Sequence, residues 1–186
     1  AGSNKANEAL RSGNIDVGST AGSAALLARA NGSPIKVIDL YSQPEWSALV
    51  TTKNSNIHAV SDLKGKSVAV TKGTDPYFLL LKQEGIAAKE VTIQNLQHAD
   101  GRTALDNGQV NAWSGLDPIM ASAEIESHDV LFYRNLDFNT YGFLNATEQF
   151  LKDNPDAAQT IVNVYEYARK WALENTAEAT QILADE

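Results

Sequence analysis

The chain has 186 residues, 43% hydrophobic and 20% charged, with 23 acidic against 15 basic side chains and a net charge of −8 at pH 7. That length holds one sizeable core or two small ones, and the composition is that of a globular chain, neither disordered nor membrane-spanning. Lys and Arg are scattered, which excludes nucleic acid as a partner, and the lack of cysteine removes disulfides, thiolate metal sites and cysteine nucleophiles.

In chain order, Ser3 or Asn4 caps a predicted helix over 5–11, and 15–17 is a short strand. Ser19, Thr20 or Ser23 caps an Ala/Leu-rich helix that runs to Ala30 and is broken by Gly32-Ser33-Pro34. Strands follow at 35–40 and 48–52, then a connector over 57–65 and a buried strand at 67–70. Pro76 opens a helix over 77–84 that Gly85 ends. A strand at 91–93, a helix beginning at Asp100 or Thr103, a strand at 111–113 and a helix from Pro118 to about Glu126 come next. Strands at 130–133 and 141–144 precede a long amphipathic helix over 157–175, with another starting at Ala177. Strands alternating with helices through short loops predict an α/β protein with mostly parallel sheets.

One pattern occurs twice. Ala9-Leu10-x-x-Gly13-x-Ile15-Asp16-x-x-Ser19 returns as Ala104-Leu105-x-x-Gly108-x-Val110-Asn111-x-x-Ser114. Each copy reads as a helix end, a glycine in the left-handed position after it, a strand, and a hydroxyl opening the next helix. Two such units imply two similar α/β lobes whose strand-to-helix mouths face one ligand.

The mouths carry anion-binding chemistry. Ser19, Thr20, Gly22 and Ser23 offer hydroxyls and backbone N–H groups on one side, and Lys72, Gly73, Thr74 and Asp75 on the other. Helix capping is the plain alternative for the hydroxyls. Trp113 is of a type more often found in a core than at a ligand wall, but its place right before Ser114 favours packing on the alkyl or amine part of a ligand; Asp117 either accepts from a ligand amine or caps the next helix. Glu45 and Trp46 are placed at a cleft rim and Tyr141 near a hinge. Catalytic constellations are lacking: His58, His98 and His128 have no metal-ligand spacing. Neither a nucleophile elbow nor a phosphate or dinucleotide loop is present, so no enzyme activity, metal or cofactor is expected.

Several stretches together resemble the substrate-binding proteins of aliphatic-sulfonate, taurine and nitrate type ABC importers: 18–24, the Ala30-Asn31-Gly32-Ser33-Pro34-Ile35-Lys36-Val37 strand entry, 62–70, Lys72-Gly73-Thr74 and Trp113-Ser114-Gly115-Leu116-Asp117-Pro118. The resemblance runs from residue 1 to about 186. It implies a two-lobed periplasmic-binding-protein fold of the second type, with lobe 1 over 1–64 and 141–186, lobe 2 over 65–140, and two hinge crossovers. The implied function is an extracytoplasmic receptor that clamps a small organic oxyanion, such as an alkanesulfonate, between the lobes and delivers it to a membrane permease. The implied location is the periplasm, or the cell surface as a lipoprotein. Proteins of this type begin with a further strand and helix and continue beyond this chain's end. An incomplete first lobe and self-association are therefore expected. The alternatives on the same fold are a thiamine-pyrimidine synthase, whose cysteine-rich stretch has no counterpart here, and a ligand-sensing regulatory module.

Overall fold

The computed structural model describes residues 2–43, 45–75 and 88–185. The helix expected over 77–84 lies outside the described residues. The chain divides into two compact units, 1–42 with 141–186, and 43–140.

In the first unit, α1 (Ser3–Arg11) leads to β1 (Val17–Ala21), α2 (Gly22–Ala30) and β2 (Ile35–Ser42). The chain returns as β8 (Gly142–Thr147) and ends in α5 (Glu148–Asp153), α6 (Pro155–Glu174) and α7 (Thr176–Asp185). The three strands are ordered β1-β8-β2, with β8 antiparallel to both neighbours. This corrects the expectation of a mostly parallel sheet. β1 and β2 do run the same way, as a strand–helix–strand connection requires, but the returning β8 is inserted between them.

In the second unit, β3 (Ser47–Thr51), β4 (Ser67–Val70), β5 (Thr92–Asn95), α3 (His98–Asp106), β6 (Ala112–Leu116), α4 (Ile119–Ser122) and β7 (Val130–Tyr133) follow in order. They build a mixed five-stranded sheet ordered β5-β4-β6-β3-β7. β4 pairs in parallel with β5 and β6, whereas β3 is antiparallel to β6 and β7. The unit boundary therefore falls before β3 and not at residue 64. Ala48, Leu49 and Val50 are fully buried at the interior of this sheet, so 43–64 cannot belong with the first unit.

The repeated pattern is a structural repeat. α1–β1 and α3–β6 follow the same spacing, and the glycine after each helix is left-handed, with φ of 73° at Gly13 and 68° at Gly108. Asn14 N–H donates to Ala9 O at 3.0 Å and Gln109 N–H to Ala104 O at 2.8 Å, the six-to-one bond that stops a helix on a left-handed residue. Each strand begins two residues later than expected in the first copy and one residue later in the second. Ser19 and Ser114 consequently sit within strands and not at helix starts.

The units differ in how much they bury. Both buried apolar clusters among the described residues lie in the second unit, around Leu49–Leu63–Val68–Val70 and Val50–Leu105–Trp113–Met120. In the first unit, Leu26, Leu40, Val164, Tyr167, Leu173 and Leu183 are exposed, and α6 buries only Ala158 among its described side chains. Local stability follows buried contacts. Native-state hydrogen exchange is therefore expected to be slowest in β3, β4 and β6 and much faster in α6 and α7; equal protection of α7 and β4 would contradict this ranking.

Candidate functional site

In the first unit, β1 presents Ser19 outward and Thr20 inward. The Ser19 and Tyr41 hydroxyls are hydrogen-bonded to each other, and Tyr41 meets the Tyr165 ring edge-on at a centroid distance of 5.4 Å. Burial, then the adjacent Tyr41, pushes the Tyr165 hydroxyl pKa above its usual value. Thr20 is buried, and its Oγ1 accepts from Asn145 Nδ2 at 2.8 Å. The N-cap of α2 is Ala21, with no side-chain cap bond, which corrects the capping expected of Ser19, Thr20 or Ser23. The first N–H of α2, on Gly22, donates to Tyr141 O at 3.0 Å, and the half-exposed Tyr141 side chain stands at the start of the return into this unit. Ser23 is part-buried on the first turn of α2. Cavities described in this unit lie elsewhere: one of about 460 Å³ between α1 and α2, beside Asn7, Arg11 and Asn31, one of about 350 Å³ over α2 and β2, beside Leu26, Val37 and Asn145, and one of about 270 Å³ beside Ile38, Leu151 and Val162.

In the second unit, the loop after β4 turns at Gly73, whose φ of 80° is left-handed and suits glycine. The Lys72 N–H donates to Asn95 Oδ1 at 3.0 Å. Thr74 is buried and its hydroxyl donates to Thr71 O at 2.6 Å, so the expected ligand hydroxyl is spent on closing its own loop. Asp75 is also buried and accepts from Trp46 Nε1 at 3.2 Å and from the Thr140 N–H at 2.7 Å. The Trp46 carbonyl accepts from the Asp117 N–H at 2.9 Å, while Asp117 Oδ1 accepts from Ala121 N at 3.3 Å. Of the two roles open for Asp117, this bond is a cap on the following turn. Glu45 lies 3.8 Å from Arg134 across the same edge.

The structure therefore gathers the adjacent Glu45 and Trp46 with Asp75 and Asp117, which are distant from them in sequence. It takes Trp113 away from any ligand wall. The indole is 1% exposed and lies in the core, so close over Gly101 that a Cβ there would sit 2.7 Å from Trp113 Cδ1. Ser114 is fully buried beside it. Sequence reasoning missed Tyr41 and Thr140. Each is a polar residue at the end of a segment flanking a unit boundary, a position that only the assembled sheets reveal.

Among the described residues there is no group of three or more His, Asp or Glu able to hold a metal ion, and no helix is long and apolar enough to cross a membrane.

Known proteins resemble this chain in sequence and in fold. A curated Bacillus subtilis (strain 168) protein named for binding aliphatic sulfonates is 32% identical over 186 residues, covering 96% of this chain and 55% of the relative. The alkanesulfonate-binding protein of Xanthomonas axonopodis pv. citri, solved bound to MOPS, matches with a TM-score of 0.90 and 25% identity over 100% of this chain and 65% of its own. The periplasmic aliphatic sulphonate-binding protein of Escherichia coli matches with a TM-score of 0.81 and 26% identity, covering 99% and 65%. The chain thus spans little more than half the length of the curated relative, and its α/β fold is that of the periplasmic binding proteins. The family model described as NMT1/THI5 like matches residues 1–179, and the chain belongs to that family.

Proposed function

We propose that this chain is the ligand-binding receptor portion of an extracytoplasmic ABC importer component, and that it takes a small organic sulfonate for delivery to a membrane permease. The observation that carries the reading is the match along the whole chain to an alkanesulfonate-binding structure that holds a sulfonate buffer molecule. The chemistry of the first unit supports it. A sulfonate keeps its charge at all ordinary pH and offers only acceptor oxygens, so neutral hydroxyl and backbone N–H donors can hold it. Two hydroxyls bonded to each other spend one proton internally and keep one to give. The exposed Ser19–Tyr41 pair is such a donor.

Ser19, Tyr41 and Ser23 in the first unit are the residues proposed to meet the anion, with Thr20 and Asn145 holding β1 in place behind Ser19. The exposed apolar side chains of the first unit support self-association of this chain.

A thermal-shift panel of alkanesulfonates, taurine, nitrate, amino acids and pyrimidines tests the ligand class. A ligand at 100 times its Kd stabilises by about 2.7 kcal/mol. Alkanesulfonates are expected to stabilise most, and the Ser19→Ala/Tyr41→Phe double variant, which removes both hydroxyls of the pair, to lower affinity at least about tenfold, as the loss of a hydrogen bond to a charged group does. Stabilisation by pyrimidines alone would sink the sulfonate reading.

A further inference from the structure

Asp75 holds an unusual place for a carboxylate. It is 1% exposed, and its donors come from opposite ends of the second unit. Oδ2 accepts from the Thr140 backbone N–H at 2.7 Å and from Trp46 Nε1 at 3.2 Å, while Thr140 Oγ1 lies 2.9 Å from Oδ1 and 2.8 Å from Oδ2. The chain enters this unit at residue 43 and leaves it after residue 140. Trp46 is therefore in the entry segment and Thr140 is the last residue before the exit. A second bond ties the same two segments one position further in, from Ser47 Oγ to Asn139 Oδ1 at 2.5 Å, with both side chains buried.

We propose that Asp75 is a positioning residue that locks the entry and exit segments of the second unit to one another, and that it does not touch the ligand. Three donors converge on one carboxylate, and hydrogen bonds to a carboxylate are stronger than those between neutral groups. Gly73, left-handed just before it, lets the loop turn so that the carboxylate faces inward. The assignment draws only on contacts within the second unit; it rests on the receptor reading only where affinity is concerned.

Site-resolved hydrogen exchange on the full chain tests it. Asp75→Asn keeps the size of the side chain but sets an NH2 against donors. The Thr140 amide is expected to exchange about tenfold faster or more, with amides of β4 and β6 unchanged. Trp46→Phe keeps the ring and removes only the indole donor. It should accelerate Thr140 exchange in the same direction, and should add little in the Asp75→Asn background because the two donors share one oxygen. Trp46→Phe and Ser47→Ala carry the test alone if Asp75→Asn does not fold. Two results would overturn the proposal: equal acceleration throughout the second unit, which marks an ordinary core residue, and an unchanged Thr140 amide with lost methanesulfonate or MOPS affinity, which marks a ligand contact. If the unaltered chain binds no sulfonate, the receptor reading fails, and the exchange data still decide the role of Asp75.

Discussion

Trp113→Ala is expected to destabilise the second unit by about 3–5 kcal/mol, the cost of emptying a large core site that cannot fully collapse. The indole is the largest fully buried side chain of the chain's described residues and packs with Val50, Ala69, Leu105 and Met120. If Trp113 instead walled a ligand pocket, as its place before Ser114 had suggested, affinity would fall and stability would hold. Denaturant midpoints together with affinity per folded molecule separate the two. The contact with Gly101 supplies an internal control. Gly101→Ala drives a Cβ to 2.7 Å from the indole and should cost about 1–3 kcal/mol by overpacking. With the ring gone, the same methyl has room, so Gly101→Ala should be nearly neutral in the Trp113→Ala background.

Acidification is expected to reveal His98. The ring opens α3 within the second unit, is 7% exposed, and has no hydrogen-bond partner at Nδ1. Burial pushes its pKa down from 6.5 to about 4. The folded state therefore stays neutral between these values while the unfolded chain takes up a proton. Stability is full above pH 6.5 and is lost as pH falls towards 4, by about 3 kcal/mol at 1.36 kcal/mol per unit. Asp129 acts in the opposite direction, because burial, and secondarily Asp106, raises its pKa, so folding favours its protonated form. The exposed carboxylates of Asp62 and Glu126, held low chiefly by the His58 and Ala59 backbone N–H groups and by Arg102 respectively, lose their advantage only at lower pH. The histidine contribution is isolated by comparing the chain with His98→Gln in urea titrations at pH 7, 6 and 5. The variant should lose less stability on acidification; parallel curves would show that His98 is not the cause.

Local features of this protein were legible in its sequence to the extent that they depend on local rules. The left-handed glycines after α1 and α3, the strand at Ser67–Val70, the strand at Val130–Tyr133 and the long helix near 155–174 follow from periodicity and helix-stop chemistry. The features decided by long-range pairing were not legible. Nothing near Gly142 says that β8 inserts between β1 and β2, and nothing near Ser47 says that β3 joins β6 and β7. The candidate site shows the same division. Anion-binding residue types near Ser19 and Gly73 were visible, whereas the use of the Thr74 hydroxyl by Thr71 O, the burial of Trp113 and the pairing of Ser19 with Tyr41 depend on neighbours supplied by the fold.

The most direct measurement is isothermal titration of this chain with a short alkanesulfonate at pH 7, run beside the Ser19→Ala/Tyr41→Phe double variant. Saturable one-to-one binding is expected, weakening about tenfold or more in the variant, in which only the two hydroxyls of the pair have been removed. A folded chain that shows no saturable heat up to about 1 mM sulfonate, or a folded double variant that binds as tightly as the unaltered chain, would contradict the proposed site.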